Sequence, residues 1–128
     1  MFKVEMLPAC HGDCLWIEYG ERDAVHRVLI DGGFGTSYPT LRTRFEQLPR
    51  NDRHFELMVV THVDADHIEG MVSLLADEKI RFSCGDFWFN AWEHIAGVGI
   101  DFGSLQGEYL SALIDKRGLP RNRMFDGA

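Results

Sequence analysis

The 128-residue chain is 45% hydrophobic and 26% charged with no long biased tract, which fits a single domain spanning 1–128 with a sizeable core and excludes disorder as the default. A formal charge of −7, from 20 acidic against 13 basic residues, provides no global electrostatic footprint for a polyanion, and the local stretch Arg42, Arg44, Arg50 and Arg53 is diluted by Glu46 and Asp52. The odd set Cys10, Cys14 and Cys84 fits a reduced compartment, the first five residues lack the character of a signal peptide, and no run approaches membrane-spanning length, so a soluble cytoplasmic protein is expected.

Residues 2–7 form a short apolar-rich run ended by Pro8, residues 14–19 a second ended by Gly20, and residues 26–31 a third closed by Gly32-Gly33-Phe34-Gly35. Three strands with short connections predict an antiparallel opening. Leu41, Phe45 and Leu48 fall at i, i+4 and i+7, with Ser37 able to cap, Pro39 tolerated in the first turn and Pro49 as a stop, which predicts a helix over 37–48. A strand over 56–61 and a helix over 67–76 follow, the latter with Ile68, Met71, Val72 and Leu75 on its apolar face. Consecutive aromatics at Phe87, Trp88 and Phe89 read as a strand covered on both faces. Residues 91–103 are glycine-bearing and irregular, and a third helix is expected over 105–117, with Leu105, Tyr109, Ala112 and Leu113 on one side and Gly118 and Pro120 as stop signals. The order belongs to mixed α/β layering.

Chemistry concentrates between the 56–61 strand and the second helix, where His62, Asp64, Asp66 and His67 arrive within a few residues. Alternate side chains of an extended segment point the same way, so His62 and Asp64 can converge on one metal, with Asp66 one step further along that face. His67, where the chain turns into the helix, can point back from another direction. Two imidazoles and two carboxylates suit zinc, iron or manganese, and such a site turns bound water into hydroxide near neutral pH, with Asp66 able to orient or deprotonate that water. Helix capping accounts for one aspartate of a helix starting near His67 but not for His62, Asp64 and His67.

Thr61-His62-Val63-Asp64-Ala65-Asp66-His67-Ile68-Glu69-Gly70 resembles the signature loop of the metallo-β-lactamase superfamily, His-x-His-x-Asp-His, with Asp64 where the second histidine usually stands. This form, followed by Ile-x-Gly, is similar to the domain attached to ComEC-type competence proteins and to related stand-alone hydrolases. Gly12-Asp13-Cys14-Leu15-Trp16-Ile17 and Leu29-Ile30-Asp31-Gly32-Gly33 resemble the two motifs that precede the loop in that subgroup. The likeness covers about residues 4–76. It implies an αββα sandwich of which this chain is the N-terminal half, a mixed sheet with helices packed on one face. It further implies two divalent metals, zinc with manganese or iron as alternatives, the first served by His62 and Asp64 and the second by Asp66 and His67. Asp66 would be the catalytic residue, Asp31 would support the ligand loop without binding metal, and Asp13 would lie near the mouth.

The superfamily's remaining ligands come from its second half, and only His94 follows His67 here, in a context better suited to a loop histidine beside aromatic core. The chain is therefore expected to be a fragment of a longer hydrolase in preference to a natural half-domain, and in either case to need a homo-oligomer or a partner chain. The implied activity is metal-dependent hydrolysis, with a small-molecule, nucleotide or nucleic-acid phosphodiester ahead of a lactone, ester or thioester, and weak or no activity in this chain alone. A non-catalytic interaction module and a DHH-type manganese phosphoesterase are the alternatives. Cys10-x-x-x-Cys14 with His11 lacks a fourth ligand and reads as packing cysteines, Trp88, Phe89 and Trp92 read as core, and Gly32 and Gly33 read as a turn.

Overall fold

The computed structural model describes residues 1–9, 12–89 and 102–125. Strands β1 (Phe2–Met6), β2 (Leu15–Glu21) and β3 (Ala24–Ile30) form the antiparallel opening that the three short-connected apolar-rich runs predict. A turn of 3-10 helix, Gly35–Ser37, leads into α1 (Tyr38–Glu46) with Pro39 in its first turn, where a missing N–H is harmless. The short β4 (His54–Phe55) is followed by β5 (Leu57–Val59), α2 (Ala65–Ala76), β6 (Ser83–Cys84), β7 (Phe87–Trp88), α3 (Phe102–Arg117) and a last 3-10 turn, Arg123–Phe125. The main sheet runs β1-β2-β3-β5-β7, with β5 parallel to both β3 and β7, and β4 pairs with β6 in a small second sheet. The result is a mixed sheet with helices on one face.

The core lies between that face and the helices. Register places Trp16, Leu29, Met58 and Phe87 side by side across four strands, all fully buried. Trp16 meets Phe45 of α1 edge-on at 5.3 Å and Phe55 at 5.0 Å. From α2, Ile68, Met71, Leu74 and Leu75 are buried. Three charged residues of the sheet lie on the same side: Arg27, 4% exposed, donates to Glu18 at 2.8 Å and to both Asp52 carboxylate oxygens, and Glu5 accepts from Arg44 of α1 at 2.8 Å, whose guanidinium stacks on Trp16.

Three sequence expectations change. The second helix begins at Ala65, two residues early, so Asp66 sits in a helical turn and not on the extended face of His62 and Asp64. On α3, Leu105, Tyr109 and Ala112 are exposed, and the packed side is Leu110, Leu113 and Ile114. The aromatic strand is covered on one face, with Phe87 and Phe89 buried and Trp88 half-buried on the other side. His94, Trp92, Cys10 and His11 lie outside the described residues, and among those described no helix is long and apolar enough to cross a membrane. Cys14 and Cys84 are buried, and burial pushes their thiols up to about 12 and about 11, which suits packing and not thiolate ligation.

Two long-range clamps close the structure. The Arg117 guanidinium at the end of α3 donates to the carbonyls of Leu74, Leu75, Asp77 and Ile80, satisfying acceptors at and just beyond the C-terminus of α2. Asp86 accepts from Phe87 N, Trp88 Nε1, Arg123 N and Met124 N, tying the last turn to β7. Burial alone would raise the Asp86 carboxyl, but these donors outweigh it and hold it below the usual carboxylate range. Its contribution to stability is therefore present at neutral pH and lost as pH falls through that lowered value. Asp86→Ala should cost about 2–3 kcal/mol in urea unfolding at pH 7 by leaving buried donors unpaired, and much less near pH 2.

Candidate metal centre

The centre is assembled where β3, β5 and α2 meet. Asp31, 1% exposed, follows β3 with φ +60, a left-handed conformation that aspartate tolerates at a cost of about 1 kcal/mol. Its N–H donates to Val59 O at 2.8 Å. Its Oδ1 accepts from Thr61 N at 2.8 Å, and its Oδ2 accepts from Thr61 Oγ1 at 2.6 Å and from His67 Nδ1 at 3.0 Å. Because the carboxylate can only accept, Nδ1 carries the proton, and in the neutral imidazole Nε2 keeps the free lone pair.

Backbone contact fixes His67 in place. Gly32 N donates to His67 O at 2.9 Å and Gly70 N donates to Gly33 O at 2.8 Å, so α2 lies with its backbone against the turn after β3. A Cβ on Gly70 would overlap the Gly32 carbonyl, and one on Gly12 would overlap the carbonyl of Asp66. These glycines permit the approach that places the Gly12-Asp13 turn over the first turn of α2.

Around His67 the structure gathers four of the other five sequence-selected residues. His67 Nδ1 lies 3.9 Å from Asp13 Oδ2, its Nε2 lies 3.7 Å from Asp66 Oδ1, and its ring centroid is 4.8 Å from that of His62. Asp13, Asp31 and His67 each offer an atom within 4.8 Å of the others. A cation seated among those three would have to break the Asp31–His67 bond, whereas one on Nε2 would leave it intact. The buried, fully engaged Asp31 carboxylate therefore acts as an orienting group. Asp64 stands apart: it is the N-cap residue, its carbonyl accepts from His67 N and Ile68 N, and its exposed carboxylate has no partner among the described residues. Capping thus does not explain that side chain.

Burial would lower the His67 pKa, but the hydrogen bond to Asp31 and the charges of Asp31, Asp66 and Asp13 raise it overall. Nitrogen and carboxylate donors of this kind suit a borderline or hard divalent cation, and the raised pKa makes protons compete with it. Two residues hold the centre without having been singled out by the motif: Thr61, which grips Asp31 with two donors, and Glu69, whose Oε2 accepts from Gly35 N at 2.9 Å. Thr61 adjoins His62 in the motif, and that adjacency is its one sequence signal.

No protein-family model matches the chain, and no curated protein matches it. Among solved structures it is similar to a crystal structure of a Thermotoga maritima protein provisionally described as a metallo-beta-lactamase, with 19% identity, a TM-score of 0.49, and coverage of 94% of this chain and 54% of that one. The chain spans about half the length of that structure.

In the metal-free chain the Asp31–His67 pair stabilises the fold fully below the ordinary imidazole pKa, and this contribution is lost as pH rises through the raised His67 value. Asp31→Asn should remove that dependence. Titration of His67 by nuclear magnetic resonance should show a raised pKa in the native chain and a fall toward 6.5 in Asp31→Asn.

Proposed function

We propose that the chain carries part of the active centre of a metal-dependent hydrolase of the metallo-β-lactamase type, with a phosphodiester as its substrate class. The observation that supports this reading is the Asp31–His67 hydrogen bond, which orients an imidazole with Nε2 free beside Asp66 and His62. His62, Asp64, Asp66 and His67 are the proposed ligands, for zinc first and manganese or iron next. When bound, the metal supplies Lewis acidity that ionises water near neutral pH and polarises a phosphoryl oxygen.

The chain's own residues then divide the work. Asp31, held by Thr61, keeps the His67 ring in one orientation and one tautomer. Asp66, in the first turn of α2 and 28% exposed at its side chain, is placed to take or direct a proton at its carboxylate. Asp13, more exposed, lies at the mouth. A cavity of about 580 Å3 lined by Val59, Thr61, Trp88, Phe89, Asn122 and Phe125 adjoins the ligand loop and offers room for the organic part of a substrate. A slightly larger cavity, about 620 Å3, is lined by Leu75, Phe82, Tyr109 and Arg117 around the other end of α2 and takes no part in this reading. The phosphodiester choice rests on the likeness of the motifs to the ComEC-type subgroup.

Calorimetry should detect zinc or manganese binding that is lost in His67→Ala, weakened about 10- to 100-fold in Asp31→Asn, and weakened as pH falls because protons compete at His67. A native chain that binds neither metal would favour the interaction-module reading. Hydrolysis of bis(p-nitrophenyl) phosphate, assayed with whatever completes the centre, should disappear in Asp66→Ala and with chelator. Activity surviving both would overturn the mechanism.

A further inference from the structure

A strongly basic cleft lies at the pole of α2 opposite His67. A cavity of about 520 Å3 opens there, lined from α1, the loop after it and the turn after α2 by five cationic side chains, Arg42, Arg50, Arg53, Lys79 and Arg81, and by two carboxylates, Glu46 and Glu78. Both carboxylates already have a cation: Glu46 pairs with Arg42 at 3.3 Å, and Glu78 lies 3.9 Å from Lys116. Arg50 and Arg81 are exposed and have no hydrogen bond or ion pair among the described residues. Arg53 donates Nε and Nη2 to the Leu48 carbonyl and keeps Nη1 without a partner among those residues. A further cavity of about 230 Å3 is lined by the same three arginines with Asn51, His54 and Ser83.

In sequence Glu46 and Asp52 dilute this basic stretch, and in the fold they do not. Asp52 turns both oxygens to Arg27, while Lys79 and Arg81 join from the turn after α2. The backbone that carries the cations is pinned on both sides of the cleft. Arg27 holds the loop through the Asp52 carbonyl and carboxylate, and Arg117 holds the turn through the carbonyls of Asp77 and Ile80. Cations fixed in this way lose little freedom when a ligand arrives. Helices α1 and α2 both end at the cleft, where free carbonyls would repel an anion. Arg117 takes those of Leu74 and Leu75, and Arg53 takes that of Leu48.

We propose that this cleft is a binding site for an oligophosphate, an anion with at least two linked phosphate groups, separate from the metal centre. Guanidinium groups match phosphate oxygens bidentately, and three of them shared by two cavities suit more than one phosphate. Like charges gathered in one opening repel one another, and a multiply charged anion removes that repulsion. The cleft is of the size that takes a small ligand. The phosphates belong either to a free oligophosphate or to the backbone of a nucleic-acid strand, and the test separates the two sources.

Calorimetric titration of the full, metal-free chain with inorganic triphosphate at low salt should show binding at one site that weakens as salt is added. Arg50→Ala and Arg81→Ala should each weaken it about 10-fold with the circular dichroism of the native chain retained, since both side chains are exposed and unbonded. Arg22→Ala, at an exposed position between β2 and β3, removes the same charge elsewhere and should change the affinity by less than about twofold. His67→Ala should leave triphosphate binding intact, which keeps this result apart from that of the hydrolase reading. Competition by a short oligothymidylate would support the site and assign the phosphates to a nucleic-acid backbone, and triphosphate binding without such competition would support it and assign them to a free oligophosphate. A native chain that does not bind triphosphate would overturn the inference. Binding untouched by Arg50→Ala and Arg81→Ala, weakened equally by Arg22→Ala, or abolished by His67→Ala would overturn it as well.

Discussion

The carboxylate of Asp31 is the point on which the local structure depends. Asp31 follows β3, receives both donors of Thr61 just beyond β5, and holds the single histidine of α2 by its ring nitrogen. The end of β3 meets the segment that joins β5 to α2, some thirty residues later, on a carboxylate that has almost no contact with water. Neutral hydrogen bonds contribute about 1 kcal/mol each and those to a charged acceptor more, so the left-handed backbone at this position is offset several times over. The same contacts that hold the strand ends together also set the direction of the His67 ring.

The sheet has an unusual division of labour. Its ion pairs, Arg27 with Glu18 and Asp52 and Arg44 with Glu5, are covered by α1 and the loop that follows it, where desolvation makes them expensive unless well paired. The bidentate geometry at Asp52 and the one bond from Arg27 to the Asp52 carbonyl supply that pairing. The apolar Phe2, Val4 and Met6 are left on the opposite side.

Much of this was legible in the residues. Short apolar-rich runs ended by Pro8, Gly20 and Gly32 marked three strands, and Leu41, Phe45 and Leu48 marked α1. The start of α2 was misread because Asp64 caps the helix without a side-chain bond, so its first turn has no signature apart from position. The packed face of α3 was misread because Leu105, Tyr109 and Ala112 make as good a stripe as Leu110, Leu113 and Ile114, and only the neighbouring α2 decides between them. The resemblance put Asp31 behind the ligand loop and Asp13 near its mouth, but that both approach His67 was not legible, since it depends on how the turns after β1 and β3 meet α2. Nor was the grip of Thr61, since it depends on where β5 stops relative to β3.

Arg117 couples the far end of α2 to a residue some forty positions later. At about 1.5 Å per residue, α2 is a strut of roughly 18 Å, held at one end by the glycine turn and at the other by this guanidinium. A strut fixed at both ends can neither slide along its axis nor turn about it. The angular position of His67 is thus set in part by an arginine at the opposite pole of the helix, and the ligand loop is a local motif only in sequence.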